Sequence, residues 1–521
     1  MMMGYVIRKN AYYDSVFLMR VAQRLSEQKG VLQAAALMAT EKNKALLAEI
    51  GVRGVEISAA TPNDLVLAIQ ADSQQTVATV LQNIDQWLYP DQRSAATSEV
   101  RTLDEAIALQ PHSNLAVISV PGEYAAHEAK KALEHGLNVL LFSDNVPVES
   151  ERSLKEFARE RGLIVMGPDC GTALIGGVGV GFANVVRRGP IGVIGASGTG
   201  IQEFTTLVHR AGSGISHAMG TGSRDLSDFI GGISVLFALG ALISDRQTQV
   251  IAILSKPPGP LALARLVPKI NQCPKPVVAC FLGLKEDSPE RIARCRPART
   301  LEEAAALAVE IATGSRPSRF AIDSPSIQEL IRKERSSMKP EQRYIRGIFA
   351  GGTFCYQAQQ ILRDAGMVAH SNAPLAGNLQ LPDSLRSLEH TLVDMGADEF
   401  MVGRPHPMID SRLRRERILA EALDPQVAVL LLDFILGFNA SPDPAGDLAP
   451  AIAAAKQGVK KRGGFLSVVA SVCGTEGDPQ GLQQQTGLLE EAGVVVFPSS
   501  AQAALFGARL AASLKEGSRA G

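Results

Sequence analysis

The sequence predicts an α/β protein in which a small N-terminal α/β region precedes two duplicated domains, each built on a doubly wound parallel sheet. Three observations predict this fold class. The chain has 521 residues, 48 of them glycine, and its 46% hydrophobic and 20% charged residues are typical of α/β proteins with several domains. Short β-branched runs alternate with helix-like segments of about a dozen residues, as in right-handed βαβ units. Four sequence landmarks also occur twice, in the same order.

Charge and cysteine usage exclude several classes of function. The net charge of −1 leaves no electrostatic footprint for nucleic acid or an anionic membrane surface. The N-terminus lacks the apolar core of a signal peptide, and the longest apolar runs are too short to span a bilayer. Six widely spaced cysteines without a CxxC pair indicate a cytoplasmic protein without a disulfide framework. No HExxH or clustered-carboxylate motif occurs, so we predict no metal site.

The N-terminal part of the chain divides into two regions. Residues 1–111 are expected to form an α/β region, and residues 112–188 a Rossmann-like region with a small parallel sheet. The predicted strands are Tyr5–Arg8, Gln33–Ala39, Pro62–Ile69, Leu115–Val120, Val139–Phe142 and Leu163–Met166. The helices between the last three strands end at Gly136 and Gly162, since glycine commonly follows the last residue of a helix.

The two duplicated domains are expected at residues 189–313 and 344–521, joined by a polar linker at 314–343 that carries one helix. Four landmarks of the first domain match four of the second. The pairs are Ile191–Thr199 with Tyr344–Thr353, Ser216–Leu226 with Thr391–Phe400, Thr248–Gly259 with Pro425–Gly437, and Val277–Gly283 with Phe465–Gly474. The shared order indicates internal duplication of one flavodoxin-like domain.

Each duplicated domain begins with a strand that runs into a glycine turn and then a helix. Such a helix N-terminus binds anions, because its first N–H groups are unpaired and its dipole favours negative charge. The predicted phosphate-binding residues are Ser197, Gly198, Thr199, Gly200, Gly351, Gly352 and Thr353. If the duplicated domains face each other across a pseudo-two-fold axis, the two helix ends converge on one site. The alternative is that both are tight packing turns.

The segment GRPHPMID at residues 403–410 is the densest polar motif of the last domain. Two prolines fix the backbone around His406, with Arg404 and Asp410 close in sequence. We interpret these three residues as catalytic, because a rigid imidazole beside a guanidinium suits proton transfer and anion binding. The alternative is a structural histidine held by its prolines.

Four further residues are candidates for substrate binding, since each follows a predicted strand: Asp169, Cys170, Arg224 and Lys256. Each also has a structural explanation. Asp169 and Cys170 lie in a turn that Pro and Gly shape, Arg224 can form an ion pair with Asp225, and Lys256 can simply be solvated. Cys355 begins the helix after the second glycine turn, a position that would lower its pKa unless the thiol packs in the core.

These motifs together resemble the succinyl-CoA synthetase superfamily, and most closely its FdrA branch of acyl-CoA synthetase-like proteins. The segments GLIVMGPDCG, IGVIGASGTG, GTGSRDLSD and LSKPPG within residues 112–313 resemble the ligase α-subunit, whose CoA-binding Rossmann domain precedes a ligase domain. Residues 344–515 resemble the CoA-ligase domain of the β-subunit, so the chain is expected to fuse the two. FSDNV, GPDCGT, GASGTG and GRPHPMID are specific to the FdrA branch.

The chain departs from the complete ligases in two ways. The ligases carry a phosphorylated histidine shortly after the strand that ends here at 281–283, whereas this sequence continues LKEDSPERIARC. The ATP-grasp domain of the β-subunit is also missing, because no stretch of comparable length precedes the β-subunit-like part that begins at residue 344. His406 is therefore the candidate to replace the phosphate shuttle, and the retained glycine turns favour chemistry on a ready-made acyl phosphate without ATP.

The resemblance to the FdrA branch implies a carbamoyltransferase subunit in allantoin and purine nitrogen catabolism. It would interconvert a carbamoylated amide such as oxalurate, plus phosphate, with carbamoyl phosphate and oxamate. We expect no required cofactor, phosphate or carbamoyl phosphate as substrate, companion subunits, and assembly into a homo-oligomer or hetero-complex. One alternative is an acid–thiol ligase subunit that binds CoA and works with a separate ATP-grasp chain. Another is a non-catalytic scaffold subunit.

Overall fold

The computed structural model describes residues 2–11, 13, 15–49, 51–88, 100, 102–284, 294–317, 321–401 and 405–517. Four sheets organise these residues. Within the described residues, no helix combines the length and apolarity needed to cross a membrane.

The N-terminal region forms a three-stranded antiparallel sheet. Its elements are β1 (Met2–Arg8), α1 (Ser15–Ser26), β2 (Val31–Met38), α2 (Glu41–Glu49), α3 (Val55–Ala59), β3 (Leu65–Ala71), α4 (Gln74–Gln82), α5 (Asp85–Leu88) and α6 (Leu103–Leu109). The strand order is β1-β3-β2, because β3 returns between the first two strands and runs antiparallel to both. Rossmann-like parallel pairing therefore begins only after this region.

The second region contains the expected small parallel sheet. Its elements are β4 (Leu115–Ile118), α7 (Gly122–Glu134), β5 (Asn138–Leu141), α8 (Val148–Glu160) and β6 (Val165–Met166), with strand order β4-β5-β6. The hairpin of β7 (Thr172–Ile175) and β8 (Val178–Gly181) joins the next sheet instead, where Leu174 pairs with Ala218. That sheet thus begins before the predicted boundary at residue 189.

The first duplicated domain has a seven-stranded sheet of order β13-β12-β11-β9-β10-β7-β8, parallel from β13 to β10. Its elements are β9 (Arg188–Gly195), α9 (Gly198–Arg210), β10 (Ile215–Gly220), α10 (Ile233–Ser244), β11 (Val250–Ser255), α11 (Pro260–Asn271), β12 (Val277–Phe281), β13 (Cys295–Pro297) and α12 (Leu301–Thr313). The predicted linker holds one helix, α13 (Pro325–Ser336).

The second duplicated domain has a seven-stranded parallel sheet of order β16-β15-β17-β14-β18-β19-β20. Its elements are β14 (Tyr344–Phe349), α14 (Gly352–Asp364), β15 (His370–Ser371), β16 (Leu379–Gln380), β17 (Thr391–Asp394), α15 (Asp398–Met401), α16 (Arg412–Glu421), β18 (Val427–Ile435), α17 (Pro444–Lys461), β19 (Ser467–Cys473), α18 (Leu482–Glu491), β20 (Val495–Phe497) and α19 (Ser500–Gly517). The central orders β12-β11-β9-β10 and β19-β18-β14-β17 correspond, which confirms the predicted repetition of a doubly wound sheet.

One hydrophobic core joins the two duplicated domains. Apolar residues three or four apart along α9, such as Ile201, Phe204 and Val208, belong to the same buried cluster as Phe354 and Leu362 of α14. Because both glycine-turn helices bury their apolar stripes in this shared core, the two domains are held with the N-termini of these helices together.

Buried polar contacts repeat the pseudo-two-fold relation at this interface. The Glu203 carboxylate on α9 accepts hydrogen bonds from Ser500 N and Oγ at the start of α19, at 2.6 and 2.7 Å. At the equivalent position of α14, Gln357 Oε1 accepts from Leu301 N at the start of α12, at 2.8 Å. Each glycine-turn helix thus caps the last helix of the other domain.

Candidate functional site

The N-termini of α9 and α14 meet at the carboxyl edges of their sheets. Ser197 is the N-cap of α9, with Oγ accepting from Gly200 N at 3.1 Å, and its hydroxyl hydrogen-bonds to the hydroxyl of Thr353. A Cβ atom on Gly351 would lie 3.2 Å from Thr199 Cβ. The two predicted glycine turns are therefore in direct contact, and one hydroxyl–hydroxyl bond joins them.

The α9 end has the features of an anion site. Gly198 and Thr199 supply the first helical N–H groups, which have no acceptor within the helix. A Cβ atom on Gly195 would lie 2.4 Å from Ile201 Cγ1, so the turn requires glycine to approach the helix this closely. Ser197, Gly198 and Thr199 are all partly exposed, so these donors are open to a ligand.

The α14 end already faces two carboxylates. Asp433 accepts from the N–H groups of Ala350 and Gly351 at 2.8 and 2.7 Å. Asp394 lies beside the first helical residue, because a Cβ atom on Gly352 would be 2.5 Å from Asp394 Oδ2. This helix end is therefore a poorer site for a second anion than the α9 end.

The registers show why the two ends differ. Matching the N-cap positions 197 and 351 makes Gly220 the counterpart of Asp394, since each lies at the end of the strand beside the turn. Leu254 is likewise the counterpart of Asp433. The duplicated backbone is shared, but both carboxylates belong to the second domain.

Asp433 is fully buried and forms an ion pair with Arg414 at 2.8 Å. Burial raises the pKa of Asp433, and the Arg414 guanidinium acts in the opposite direction. Sequence reasoning missed both residues. The available signal was a single acidic residue inside the apolar run VAVLLLDFILG, which has to be paired when buried.

Asp394 is half-buried and accepts a hydrogen bond from Gly396 N at 3.0 Å. Burial raises the pKa of this carboxyl to about 6, while the charge of Lys256 acts to lower it. Lys256 is exposed, with Nζ 5.2 Å from the centre of the Tyr356 ring on α14. Sequence reasoning found Lys256 but missed Asp394, whose signal was its position at the carboxyl end of a strand.

His406 faces the same site as a neutral imidazole. Its Nδ1 accepts from Met408 N at 3.2 Å, and a Cβ atom on Gly396 would lie 2.8 Å from its Nε2. Burial and the nearby Arg414 lower the pKa of His406 to about 4. With Nδ1 occupied as an acceptor, Nε2 carries the proton. His406 is therefore a hydrogen-bond donor to the site through its Nε2–H. From the sequence we expected it to be an acid/base group.

Of the two other residues of the predicted catalytic motif, Arg404 lies outside the described residues. Asp410 is bound by its neighbour Arg412, whose Nε lies 2.8 Å from Asp410 Oδ2. That ion pair orders the start of α16, so the Asp410 carboxylate is occupied by a structural contact.

The cysteine positions are explained by packing. Burial raises the pKa of Cys170 to about 12, and its Sγ contacts the carbonyl of Thr172. Cys355 follows the glycine turn as expected, but burial raises its pKa, so the predicted lowering by the helix dipole is wrong.

Asp169 is exposed at a positive φ of 55°, and one of its oxygens accepts a hydrogen bond from Ser223 Oγ at 2.8 Å. Its carboxylate is therefore accessible at the edge of the site.

Arg224 is engaged in a buried ion cluster that fixes its loop. Its guanidinium donates to the carbonyl of Val146 at 2.8 Å and pairs with Glu151 at 2.9 Å. The fully buried Lys155 binds both Glu151 and Asp225, at 2.8 and 2.6 Å. The alternative of an Arg224–Asp225 ion pair is therefore wrong. Arg224 pairs with Glu151, and Asp225 pairs with Lys155, and both partners lie on α8.

Three family profiles match successive parts of the chain. The first, described as "AllF, heavy metal-associated domain", matches residues 1–103. The CoA binding domain profile matches residues 186–281, and the CoA-ligase profile matches residues 348–510. The CoA-binding match thus falls on the first duplicated domain, whereas we expected that likeness at residues 112–188.

The N-terminal domain lacks the cysteines that commonly bind a heavy-metal ion. The first cysteine of the sequence is Cys170, so residues 1–103 offer no thiolate to a soft metal ion. Throughout the part of the chain that the structure describes, no three His, Cys, Asp or Glu side chains are grouped to hold a metal.

Relatives extend from full length to single domains. The uncharacterized protein YahF of Escherichia coli is 42% identical over 502 residues, which span 96% of this chain and 97% of that protein. The ADP-forming succinate–CoA ligase subunit alpha of Methanothermobacter thermautotrophicus is 28% identical over 182 residues, 34% of this chain and 60% of that subunit. The Ca. Korarchaeum cryptofilum dinucleotide-forming acetyl-coenzyme A synthetase 1, solved with phosphate and ADP, is 19% identical over 78% of this chain and 84% of its own, at a TM-score of 0.29. The chain belongs to the FdrA family of the succinyl-CoA synthetase superfamily.

Proposed function

We propose that this chain transfers an acyl group to or from phosphate, as an enzyme related to the CoA ligases. The observation that carries the proposal is the open N-terminus of α9, where the N–H groups of Gly198 and Thr199 have no helical acceptor. A phosphate there gains hydrogen bonds and the favourable end of the helix dipole. Lys256 follows β11, the strand beside β9, and adds a cation on the same sheet edge.

The other side chains of the site suit the acyl group that the phosphate attacks. A phosphate oxygen attacks the acyl carbonyl carbon, and negative charge develops on the carbonyl oxygen. The Nε2–H of His406 supplies a preorganised donor for that oxygen, of the kind that lowers the barrier of acyl transfer. The hydroxyl pair of Ser197 and Thr353 provides one further donor beside the phosphate, because the other O–H group is used in the bond between them. Cys170 and Cys355 have no part, because both thiols are buried.

Within this chemistry we propose carbamoyl transfer as the specific reaction. The chain would convert a carbamoylated amide such as oxalurate, plus phosphate, into carbamoyl phosphate and the free amide. Membership of the FdrA family supports this assignment, as does the lack of a histidine in the segment after β12, where the ligases carry their phosphate shuttle. Companion subunits would complete the activity.

A second candidate is an acyl-CoA synthetase subunit that uses CoA as acceptor. The CoA binding domain and CoA-ligase matches favour it, as does the likeness to a succinate–CoA ligase alpha subunit. In that case a separate ATP-grasp chain would provide the acyl phosphate, and the α9 site would hold its phosphate group.

A ligand screen by thermal unfolding distinguishes the candidates. The purified chain is heated with phosphate, carbamoyl phosphate, CoA, acetyl-CoA or ATP. A ligand at a hundred times its dissociation constant adds about 2.7 kcal/mol to the free energy of unfolding. Stabilisation by phosphate and carbamoyl phosphate supports the transferase, and stabilisation by CoA supports the synthetase. A chain that none of them stabilises would contradict both and leave a scaffold role.

A further inference from the structure

We propose that Asp394 relays the proton in the transfer reaction, accepting it from the attacking phosphate and passing it to the leaving nitrogen. This inference rests on the proposed function. Asp394 ends β17 next to the meeting point of the two glycine turns, beside Gly352 of α14. No described residue donates a hydrogen bond to its Oδ2, whereas Oδ1 is fixed by Gly396 N at 3.0 Å. One oxygen is thus held in place and the other is available to a proton.

The reaction requires such a relay for its protons to balance. Hydrogen phosphate attacks the carbamoyl carbon, a carbon–oxygen bond forms, and the bond from that carbon to the amide nitrogen breaks. The phosphate loses its single proton, and the leaving nitrogen gains one. One carboxylate that accepts the first proton and donates it to the nitrogen satisfies both needs without any further reactant.

Neighbouring groups are less suited to this relay. His406 is a neutral donor whose Nδ1 is occupied by Met408 N, so it has no free lone pair. A charged lysine such as Lys256 has no lone pair either. Asp433 is sealed by its ion pair with Arg414 and by two backbone donors. Asp169 also has one oxygen to which no described residue donates a hydrogen bond, but it lies at the edge of the site, whereas the unoccupied oxygen of Asp394 lies beside Gly352, where the two glycine turns meet.

The protonation of Asp394 also suits the task. Burial raises its pKa to about 6, close to neutral pH, where a carboxylate both accepts and releases a proton readily. The charged and titratable groups that face Asp394 from the surrounding elements are Lys256, Asp169, Asp433 and His406. Lys256 lowers the pKa, and the two other carboxylates raise it.

The test compares the full-length chain with Asp394→Asn, Asp394→Glu and the control Asp383→Asn. Asp383 is an exposed carboxylate that pairs with Arg386, so the control makes the same substitution away from the site. Each protein, with its companion subunits if these are required, is assayed for carbamoyl phosphate formation from oxalurate and phosphate between pH 5 and pH 8. Phosphate binding is measured separately by calorimetry.

We expect Asp394→Asn to lower kcat at least 100-fold and to lose the rise in activity through about pH 6 that wild type and Asp383→Asn show. Phosphate binding should be retained, because the substitution removes a negative charge. Asp394→Glu should recover part of kcat. A kcat within threefold of wild type, or an unchanged rise near pH 6, would overturn the role of Asp394 alone. A wild-type chain that does not bind phosphate would overturn the proposed function together with this inference.

Discussion

The two glycine-turn helices have equivalent positions in duplicated domains but opposite surroundings at their N-termini. The end of α9 presents open N–H groups, a serine cap and Lys256 nearby. The end of α14 is covered by the carboxylates of Asp394 and Asp433. Duplication supplied two converging helix ends, and only the second domain has aspartates, Asp394 and Asp433, at the adjacent strand ends. In the proposed reaction, the α9 end holds the phosphate and Asp394 beside the α14 end moves the proton.

The largest expected effect on stability comes from breaking the Arg414–Asp433 ion pair. Asp433 is one of the two carboxylates that distinguish the α14 end from the α9 end. Arg414→Met leaves the Asp433 carboxylate buried without its partner, which costs about 3–5 kcal/mol of unfolding free energy. Urea denaturation measures the loss. The double variant Arg414→Met/Asp433→Leu, which gives the second domain the leucine of the first, should be more stable than the single variant. Equal stability of Arg414→Met and wild type would contradict the assignment.

A second prediction tests the α9 end directly. Thr199→Asp places a negative charge at the second helical residue, where the dipole tolerates it and a phosphate is repelled. We expect it to abolish the thermal stabilisation of about 2.7 kcal/mol that phosphate at a hundred times its dissociation constant provides. Thr199→Val, of similar size but uncharged, should keep most of it. Phosphate stabilisation that survives Thr199→Asp would exclude this end as the site.

A third prediction uses the equivalent positions Glu203 and Gln357. Burial raises the pKa of Glu203 from 4.5 to about 7, so the folded state holds a proton that the unfolded state releases. Stability therefore falls as the pH rises from about 4.5 to about 7, by about 1.4 kcal/mol for each unit of pKa difference. Glu203→Gln, which copies the second domain, should flatten this dependence in unfolding measurements at pH 5 and pH 8. If Glu203→Gln and wild type showed the same dependence of unfolding free energy on pH, the raised pKa of Glu203 would be contradicted.

The smallest effect concerns the caps. Ser197→Ala removes the side-chain acceptor of Gly200 N and should cost about 1 kcal/mol of unfolding free energy. The N-cap of α14 is Gly351, which makes no side-chain bond, so Gly351→Ala loses no cap and any loss of stability reflects the close contact of its added Cβ atom, 3.2 Å from Thr199 Cβ. Chemical denaturation of the two variants measures both. Equal losses would indicate that packing, rather than capping, sets the difference.

The sequence was sufficient for the repeated architecture because its signals are local. Glycines after β9 and β14, and the four paired landmarks, lie within short segments, and the structure confirms that the two turns converge. The antiparallel order of the N-terminal sheet and the transfer of β7 and β8 to the next sheet were not predictable in this way. Both depend on which strands pair, and a local apolar pattern does not encode strand direction.

The chemistry of the site was predicted less completely for a related reason. Asp394, Asp433 and Arg414 gain their meaning from contacts with residues distant in sequence, such as Gly352 and Ala350. Cys355 illustrates two opposing effects, because the helix dipole lowers a thiol pKa while burial raises it, and only packing decides which is larger. The anion site itself stays a prediction at this stage.

A crystal structure of the full-length chain with bound phosphate tests the central claim most directly. The asymmetry between the helix ends predicts phosphate oxygens within hydrogen-bond distance of Gly198 N and Thr199 N, with Lys256 nearby. Phosphate bound instead at Gly352 N and Thr353 N, or a site that stays empty at saturating phosphate, would contradict the assignment of the anion site to α9.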